Sequence, residues 1–410
     1  VQKLDNKKYY AGLGKLSKLF FKRGDNDDFN SSKNLMPAAI FCLVVLFLSF
    51  SLPILAKTSP LVKVKILEGQ KAAVVGATGP YLLKGEEGQS LQVKSPFSLK
   101  KIKVGEKGIT VGGRVWGRSL VIEPDKNSLT MVNGRRYRGT ITIQEDNHSL
   151  TVINELPLEE YLYGVLKWEI SPTWPLNAIT AQAIVARTFA FSRSNSGQEN
   201  KSGYYLAADV TDQVYGGVES EDALVRIAVD LTRGEIITYR NQPIVACYHC
   251  CCGGYTASSR QVWGKDFPYL RGSPDPFCAD SPYYYWTILI SEEELRALLE
   301  KTYPLLGRIL EVRAVSWDNS GRVEEVVLRH QRGRLWIKGT QFRQILGFNR
   351  LKSTRFQVKK TGDQFEFRGR GWGHGVGMCQ WGAKEMAERG STTEEILIFY
   401  YPGTRIKKIY

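Results

Sequence analysis

The sequence predicts an α+β protein with an N-terminal membrane helix, an antiparallel β module and a mixed α/β region after it. Three observations carry this. Asn34 to Ala56 contains no charged residue and is strongly apolar. Short β-rich runs alternate with Gly, Asn and Asp turns from Ser59 to about Asn154. From Leu158 onward apolar residues recur at helical spacing. The implied boundaries are a basic tail at 1–33, a membrane segment at 34–56, a β-rich module at 57–154 and a mixed region at 155–410.

The first 33 residues hold eight Lys or Arg against four Asp. At about 1.5 Å per residue, the apolar run that follows is just long enough to span a bilayer. A basic flank ahead of the span is the positive-inside arrangement, which places residues 57–410 outside the cytoplasm. An uncleaved single-pass anchor is favoured over a cleaved signal because no clean small-x-small site follows; secretion after cleavage is the alternative. The chain carries a net charge of +15. Its Lys and Arg are dispersed rather than striped, which argues against nucleic acid and for an anionic wall polymer or membrane surface.

The expected strands of the β module are Val62–Ile66, Lys71–Val75, Ser119–Ile122, Leu129–Val132, Gly139–Gln144 and Leu150–Ile153, with turn residues between them. No catalytic constellation stands out there.

LPLEEYLYGVLKWEISPTWPLNAITAQAIVARTFAFSR, Leu156 to Arg193, reads as two helices joined by a proline corner. Leu158, Leu162, Val165 and Glu169 lie on one stripe, which puts the carboxyl of Glu169 beside buried leucines at a helix C-terminus. Desolvation and the negative end of the helix dipole both raise its pKa, and a carboxylic acid that keeps its proton near neutrality can protonate a leaving group. The plainer reading is a buried ion pair, with Arg187 as the partner.

Farther on, Ala208–Gly217 reads as a strand entering a glycine turn, and Glu219–Thr232 as a helix with Ala223, Ile227 and Leu231 in register. Ile236–Tyr239 and Ile244–Ala246 read as a hairpin around Asn241–Gln242. The hairpin delivers the chain to CYHCCCGGYT, Cys247 to Thr256. Of seven cysteines, Cys42 lies in the apolar run, Cys247, Cys250, Cys251 and Cys252 crowd beside His249, and Cys278 and Cys379 are distant. Zinc on the cluster lacks standard finger or ribbon spacing. A strand would put Cys250 and Cys252 on one face and Cys251 on the other. Zinc, a disulfide from Cys252 to Cys278 and free thiols all remain open.

Ser291–Tyr303 reads as a helix, Val312–Asp318, Arg322–His330 and Arg334–Lys338 as strands, and Gly339–Leu346 as a short helix, with no chemistry to assign. FRGRGWGHGVGMCQWGA, Phe367 to Ala383, then packs six glycines around His374, followed by helices at Gly382–Gly390 and Thr393–Tyr400. That glycine density suits close approach of backbone to backbone or ligand. His374 fits a polar clamp or a buried post better than a metal ligand.

Four blocks, LPLEEYLYGVLKWEISPTWPLNAITAQAIVARTFA, DVTDQVYGG, YHCCCGGYTASSRQVWG and GWGHGVGMCQWGAKEMAERGSTTEEILIFYYPGT, resemble the signatures of the SpoIID/LytB family, in the family's order and over roughly residues 60 to 410. The resemblance implies a catalytic core with a long substrate groove and a membrane-anchored or exported peptidoglycan lytic transglycosylase. Its substrate would be glycan strands, stripped of stem peptides in the case of SpoIID itself. The family's catalytic glutamate falls on Glu169. Arg187, Gln213, Tyr215, His249, His374 and Gln380 fall in the motif blocks as candidates for the groove lining. Trp168 and Trp174, which flank the proline corner, suit stacking on sugar rings or packing in the core equally. Such an enzyme needs no cofactor. The muramic C6 hydroxyl attacks its own anomeric carbon, so one carboxyl can act as acid and then base without the usual second carboxylate.

Departures matter as well. Relatives that bind zinc do so through His and Cys next to the motif matching DVTDQVYGG, and Asp209–Gly217 has neither. The cysteines matching Cys252 and Cys278 favour their disulfide over zinc, and Cys379 stands where many relatives have serine. The rival reading is a non-catalytic glycan-binding enhancer of an amidase or another wall-remodelling protein. A third, a zinc or cysteine hydrolase built on Cys247–Cys252 and His374, ranks lower.

Overall fold

The computed structural model describes residues 58–410, apart from 87, 196–202 and 210. The tail at 1–33, the apolar run at 34–56 and Cys42 lie outside the described residues. Among the described residues no helix is long and apolar enough to cross a membrane. The fold is α+β, with several sheets and eight α-helices among those residues.

Two sheets share the first core. Seven strands run in the order Leu206–Ala207, Leu61–Gln70, Ser149–Pro157, Thr140–Asp146, Ser119–Pro124, Tyr81–Lys84 and Ser90–Val93. Every pairing is antiparallel except that of Leu206–Ala207 with Leu61–Gln70. The second sheet pairs Arg135–Tyr137, Thr130–Val132, Ala72–Ala77, Phe97–Gly105, Gly108–Val111 and Arg114–Val115. The alternation that suggested strands is real: Ile141 and Ile143 are buried, while Thr140 and Thr142 between them are partly exposed. All six expected strands of this region are present, and the module adds hairpins whose Lys- and Gly-rich sequences lack that alternation.

Ser149–Pro157 runs directly into α1 (Leu158–Glu169), and Pro175 then opens α2 (Leu176–Ser194). Leu158, Leu162 and Val165 are fully buried, so the stripe faces the core as its spacing required. Helix α3 (Ala223–Leu231) departs from expectation. Val225, Ala228 and Val229 are its buried residues, while Leu224, Ile227 and Leu231 face solvent. Asp222 caps the helix by accepting from the Leu224 and Val225 N–H groups, and Arg187 binds the Val229 carbonyl at 3.0 Å. That buried polar anchor, which the apolar pattern does not register, fixes the helix rotation.

The described residues of Ala208–Gly217 form no strand; Leu206–Ala207 pairs with the sheet and the Ala208 N–H adds one bond to the Lys65 carbonyl. Farther on, the Gly216 N–H bonds the Gly164 carbonyl of α1 at 3.1 Å. The next hairpin turns at Arg240 and Asn241, both in the left-handed region, and pairs Glu235–Tyr239 with Gln242–Pro243, two residues earlier than Ile244–Ala246. Farther along lie α4 (Ser259–Trp263), α5 (Glu292–Glu300), α6 (Gly339–Leu346), α7 (Gln380–Glu388) and α8 (Thr393–Tyr400). A separate core gathers Trp286, Leu295, Phe342, Phe365 and Phe367 between two three-stranded sheets, α5 and α6.

The glycine-rich loop is knitted to the cysteine-rich segment. Tyr248–His249 pairs in parallel with Met378–Cys379, Cys251 bridges Trp372 and Ala257 bridges Val376. This close approach dictates the glycines. A Cβ on Gly377 would lie 1.9 Å from the Cys247 carbonyl oxygen, and its φ of +73° is itself unfavourable to other residues.

Candidate active site

Glu169 ends α1 and is partly exposed, although protein surrounds most of its carboxyl. Burial pushes its pKa from 4.5 to about 7, against hydrogen bonds from the Tyr248 hydroxyl and the Val214 N–H that favour the ionised form. No neighbouring acid contributes to the shift. The carboxyl is therefore a single acid poised between its two protonation states near neutral pH.

A directed chain of hydrogen bonds ends on it. The Tyr161 hydroxyl donates to Gln213 Oε1 at 3.2 Å, Gln213 Nε2 donates to the Tyr248 hydroxyl at 3.2 Å, and that hydroxyl donates to Glu169. Gln213 is fully buried, and burial raises the pKa values of Tyr161 and Tyr248 well above the ordinary phenol value, so both phenols keep their protons. From the other side Gln380 Nε2 donates to the Glu169 backbone carbonyl at 2.8 Å and to Gln182 Oε1 at 3.3 Å. Tyr248 lies in the cysteine-rich block, and nothing local marks its role, since its partners Gln213 and Glu169 are distant in the chain.

The remaining candidates sit elsewhere. Arg187 does not pair with Glu169. It is fully buried and clamps Glu159 through Nε at 2.9 Å and Nη2 at 2.8 Å, with further bonds to Thr232 and to the Val229 and Glu235 carbonyls. Glu159 also accepts from the Gly234 N–H and the Tyr410 hydroxyl. Arg187 thus has no face toward a ligand: it is a structural post, because α2 carries it into the core between α1 and α3. Tyr215 lies behind the site, its hydroxyl on Asn154 Oδ1 at 2.8 Å and its ring 5.2 Å from that of Tyr161.

His249 is buried and donates from Nδ1 to the Val376 carbonyl at 3.2 Å, leaving Nε2 without a partner. His374 Nδ1 accepts from the Val376 N–H at 3.0 Å, and its ring bonds the Tyr248 carbonyl. Burial lowers the pKa of His374 to about 4, assisted by Arg343 and Arg322, so it is neutral. Both imidazoles hold the glycine-rich loop, and His374 thereby holds Tyr248.

Beside the proline corner stands a line of aromatic rings. Trp174 meets Trp381 edge-on at 5.1 Å, Trp381 lies 6.4 Å from Tyr283, and Tyr283 lies 4.7 Å from Trp372. Lys352 sits over Tyr283 and Trp372, and Lys384 over Trp381. Trp168 is exposed, with its indole N–H on the Ser220 hydroxyl at 2.7 Å. Two surface concavities, of about 690 and 590 Å³, lie away from Glu169. The first is bordered by the exposed Glu324 and Glu325 and by Asp318, whose carboxylate is taken up by its own turn.

The cysteine run is not a regular strand, so strict alternation does not apply to it. Cys252 Sγ lies 3.3 Å from Cys278 Sγ, both as free thiols, and Cys251 Sγ points at the Cys278 carbonyl. The potential metal-ligating group here is Cys252, Asp275, Cys278 and Cys379; it takes in neither His249 nor His374, and neither Cys247 nor Cys250.

Fold and site together define an α+β protein in which a glutamic acid of raised pKa, Glu169, ends a helix whose last carbonyl is held by Gln380, just after a glycine-rich loop far away in the chain. The comparisons with known proteins give that class a family. Residues 146–239 match the profile of SpoIID, described as stage II sporulation protein, and residues 262–377 match a domain of unknown function (DUF8618). Stage II sporulation protein D of Bacillus subtilis is 34% identical over 267 residues, covering 62% of this chain and 75% of that protein. An uncharacterised protein of Brachyspira hyodysenteriae is 36% identical over 254 residues, covering 62% and 67%. The amidase enhancer of Bacillus subtilis is 28% identical over 293 residues, covering 60% of this chain and 40% of that longer protein. The chain belongs to the SpoIID/LytB family.

Proposed function

We propose that this protein is a peptidoglycan lytic transglycosylase acting on glycan strands outside the cytoplasm, with Glu169 as its acid and base. The observation that carries the reading is the Glu169 carboxyl, whose pKa burial pushes up to about 7. Hydrolases that activate water or form a glycosyl-enzyme use a second carboxylate. Internal attack needs only one. Protonated Glu169 gives its proton to the glycosidic oxygen as the bond from the MurNAc anomeric carbon to the GlcNAc oxygen breaks. The MurNAc C6 hydroxyl then bonds to that carbon and returns its proton to Glu169. The products are a 1,6-anhydroMurNAc end and a GlcNAc hydroxyl, and the carboxyl is regenerated. Trp174, Trp381, Tyr283 and Trp372 offer ring faces and edges for sugars, and the lysines beside them suit an anionic polymer.

The test is incubation of the wild type and the Glu169→Gln variant with glycan strands, with and without prior amidase treatment, followed by mass spectrometry. Anhydro-ended products from the wild type alone are expected, with more from peptide-stripped strands. Binding without cleavage by both proteins would overturn the enzyme in favour of a non-catalytic enhancer of an amidase.

A further inference from the structure

Four buried groups from three separated segments converge at one point: the sulfurs of Cys252, Cys278 and Cys379 and a carboxylate oxygen of Asp275, all within 4.8 Å of one another. Cys252 Sγ is 3.3 Å from Cys278 Sγ and 3.1 Å from Asp275 Oδ2. Four ligands held at about 2.3 Å around a tetrahedral ion stand roughly 3.8 Å apart, whereas a disulfide needs its sulfurs at about 2.0 Å. A disulfide would use only two of the four groups.

The surroundings are those of an anion. The Gly254 N–H donates to Cys252 Sγ at 3.3 Å, and the Cys252 N–H donates to Cys379 Sγ at 3.2 Å. Asp275 is oriented by the Tyr400 hydroxyl at 3.0 Å and the Phe277 N–H at 3.0 Å. Gly382 lets Tyr400 approach, since a Cβ there would stand 2.0 Å from its hydroxyl. An independent observation is the guanidinium of Arg322. It is buried, binds the Cys252 and Tyr255 carbonyls at 2.9 and 3.0 Å and the Ser320 hydroxyl at 2.8 Å, and leaves Nε without a partner. A buried cation is costly unless negative charge lies beside it; Asp318 supplies part of that charge, and an anionic centre at Cys252 adds to it. Three thiolates and a carboxylate around a divalent ion supply that centre.

We propose that Cys252, Asp275, Cys278 and Cys379 bind one divalent ion of the zinc class. Three sulfur donors and one oxygen select such an ion over calcium or magnesium. With all four positions filled by protein the site is structural. It staples the cysteine-rich segment and the Pro276–Cys278 turn to the start of α7, where Gln380 follows Cys379 and holds Glu169. The inference stands whether or not Glu169 cleaves glycan.

The test uses the full chain, purified under reducing conditions, stripped with chelator and titrated with zinc or cobalt alone. One equivalent per chain is expected by elemental analysis, with thiolate-to-cobalt charge-transfer bands of a tetrahedral site. Removing the metal is expected to lower the melting temperature and leave all seven cysteines titratable in denaturant. Cys379→Ser and Asp275→Ala are expected to weaken binding by at least tenfold, and Cys247→Ser to leave it unchanged. Should those variants fail to fold, the wild-type cobalt spectrum decides. Absence of the charge-transfer bands, or a Cys252–Cys278 disulfide found by peptide mapping of chain kept from reductant, would overturn the proposal.

Discussion

Gln380 donates its amide N–H to the backbone carbonyl of Glu169 at 2.8 Å, across 211 residues of sequence. The last carbonyls of a helix lack partners within it. Here one of them is met by the first residue of α7, so the glycine-rich loop and the acid move as one body. Gln380→Ala is expected to lower kcat about tenfold, the worth of one such bond, with KM little changed. An unchanged kcat would show that the contact does not position the acid.

Glu169 also sets a pH dependence of stability. Its folded pKa of about 7 lies above the ordinary 4.5, so the folded state binds the proton more tightly than the unfolded state. That contribution is complete below about pH 4.5 and is lost as pH rises through 7, amounting to about 3 kcal/mol at most. Glu169→Gln removes the titration. The variant is expected to be more stable than the wild type at pH 8 and equal to it near pH 4, as read from denaturant midpoints across pH. A constant difference across that range would contradict the raised pKa.

Tyr248 supplies the side-chain hydrogen bond that favours ionised Glu169. Tyr248→Phe is expected to move the alkaline limb of the pH–rate profile upward by about one unit, since a bond to a charged group contributes about 1.5 kcal/mol or more. A merely structural tyrosine would change the rate and leave the limb in place.

Arg187→Ala leaves the Glu159 carboxylate buried and unpaired. The expected loss is about 3–5 kcal/mol of stability, measured by chemical denaturation. Glycan KM of the protein that still folds is expected to stay at the wild-type value. A raised KM with intact stability would return Arg187 to the groove.

Trp381→Ala, which removes the centre of the aromatic line, is expected to raise KM for glycan roughly tenfold at similar kcat, since aromatic contacts contribute about 0.5–1.5 kcal/mol beyond their area. Binding assays with Glu169→Gln as the background measure this without turnover.

The α+β class, the strands Thr140–Asp146 and Ser149–Pro157, and helices α1, α2, α6 and α8 were legible in the sequence, because apolar periodicity, proline placement and turn residues are local signals. So was the raised pKa of Glu169, whose residue is partly exposed although its carboxyl is largely surrounded, on the stripe of the buried Leu158, Leu162 and Val165. The rotation of α3 was not legible, since a buried guanidinium from another helix decides it. Nor was the path after Ala208, which leaves the sheet edge after one bond to the Lys65 carbonyl and meets the Gly164 carbonyl of α1 at Gly216. By itself the sequence determined which residue could be the acid. Only the tertiary structure decided what surrounds it: Tyr248 and Gln380 at the site, Arg187 and Tyr215 in the core, and Cys379 beside Cys252 and Cys278. Those neighbours come from segments 26 to 211 residues apart, and contacts of that range leave no period in the chain that makes them.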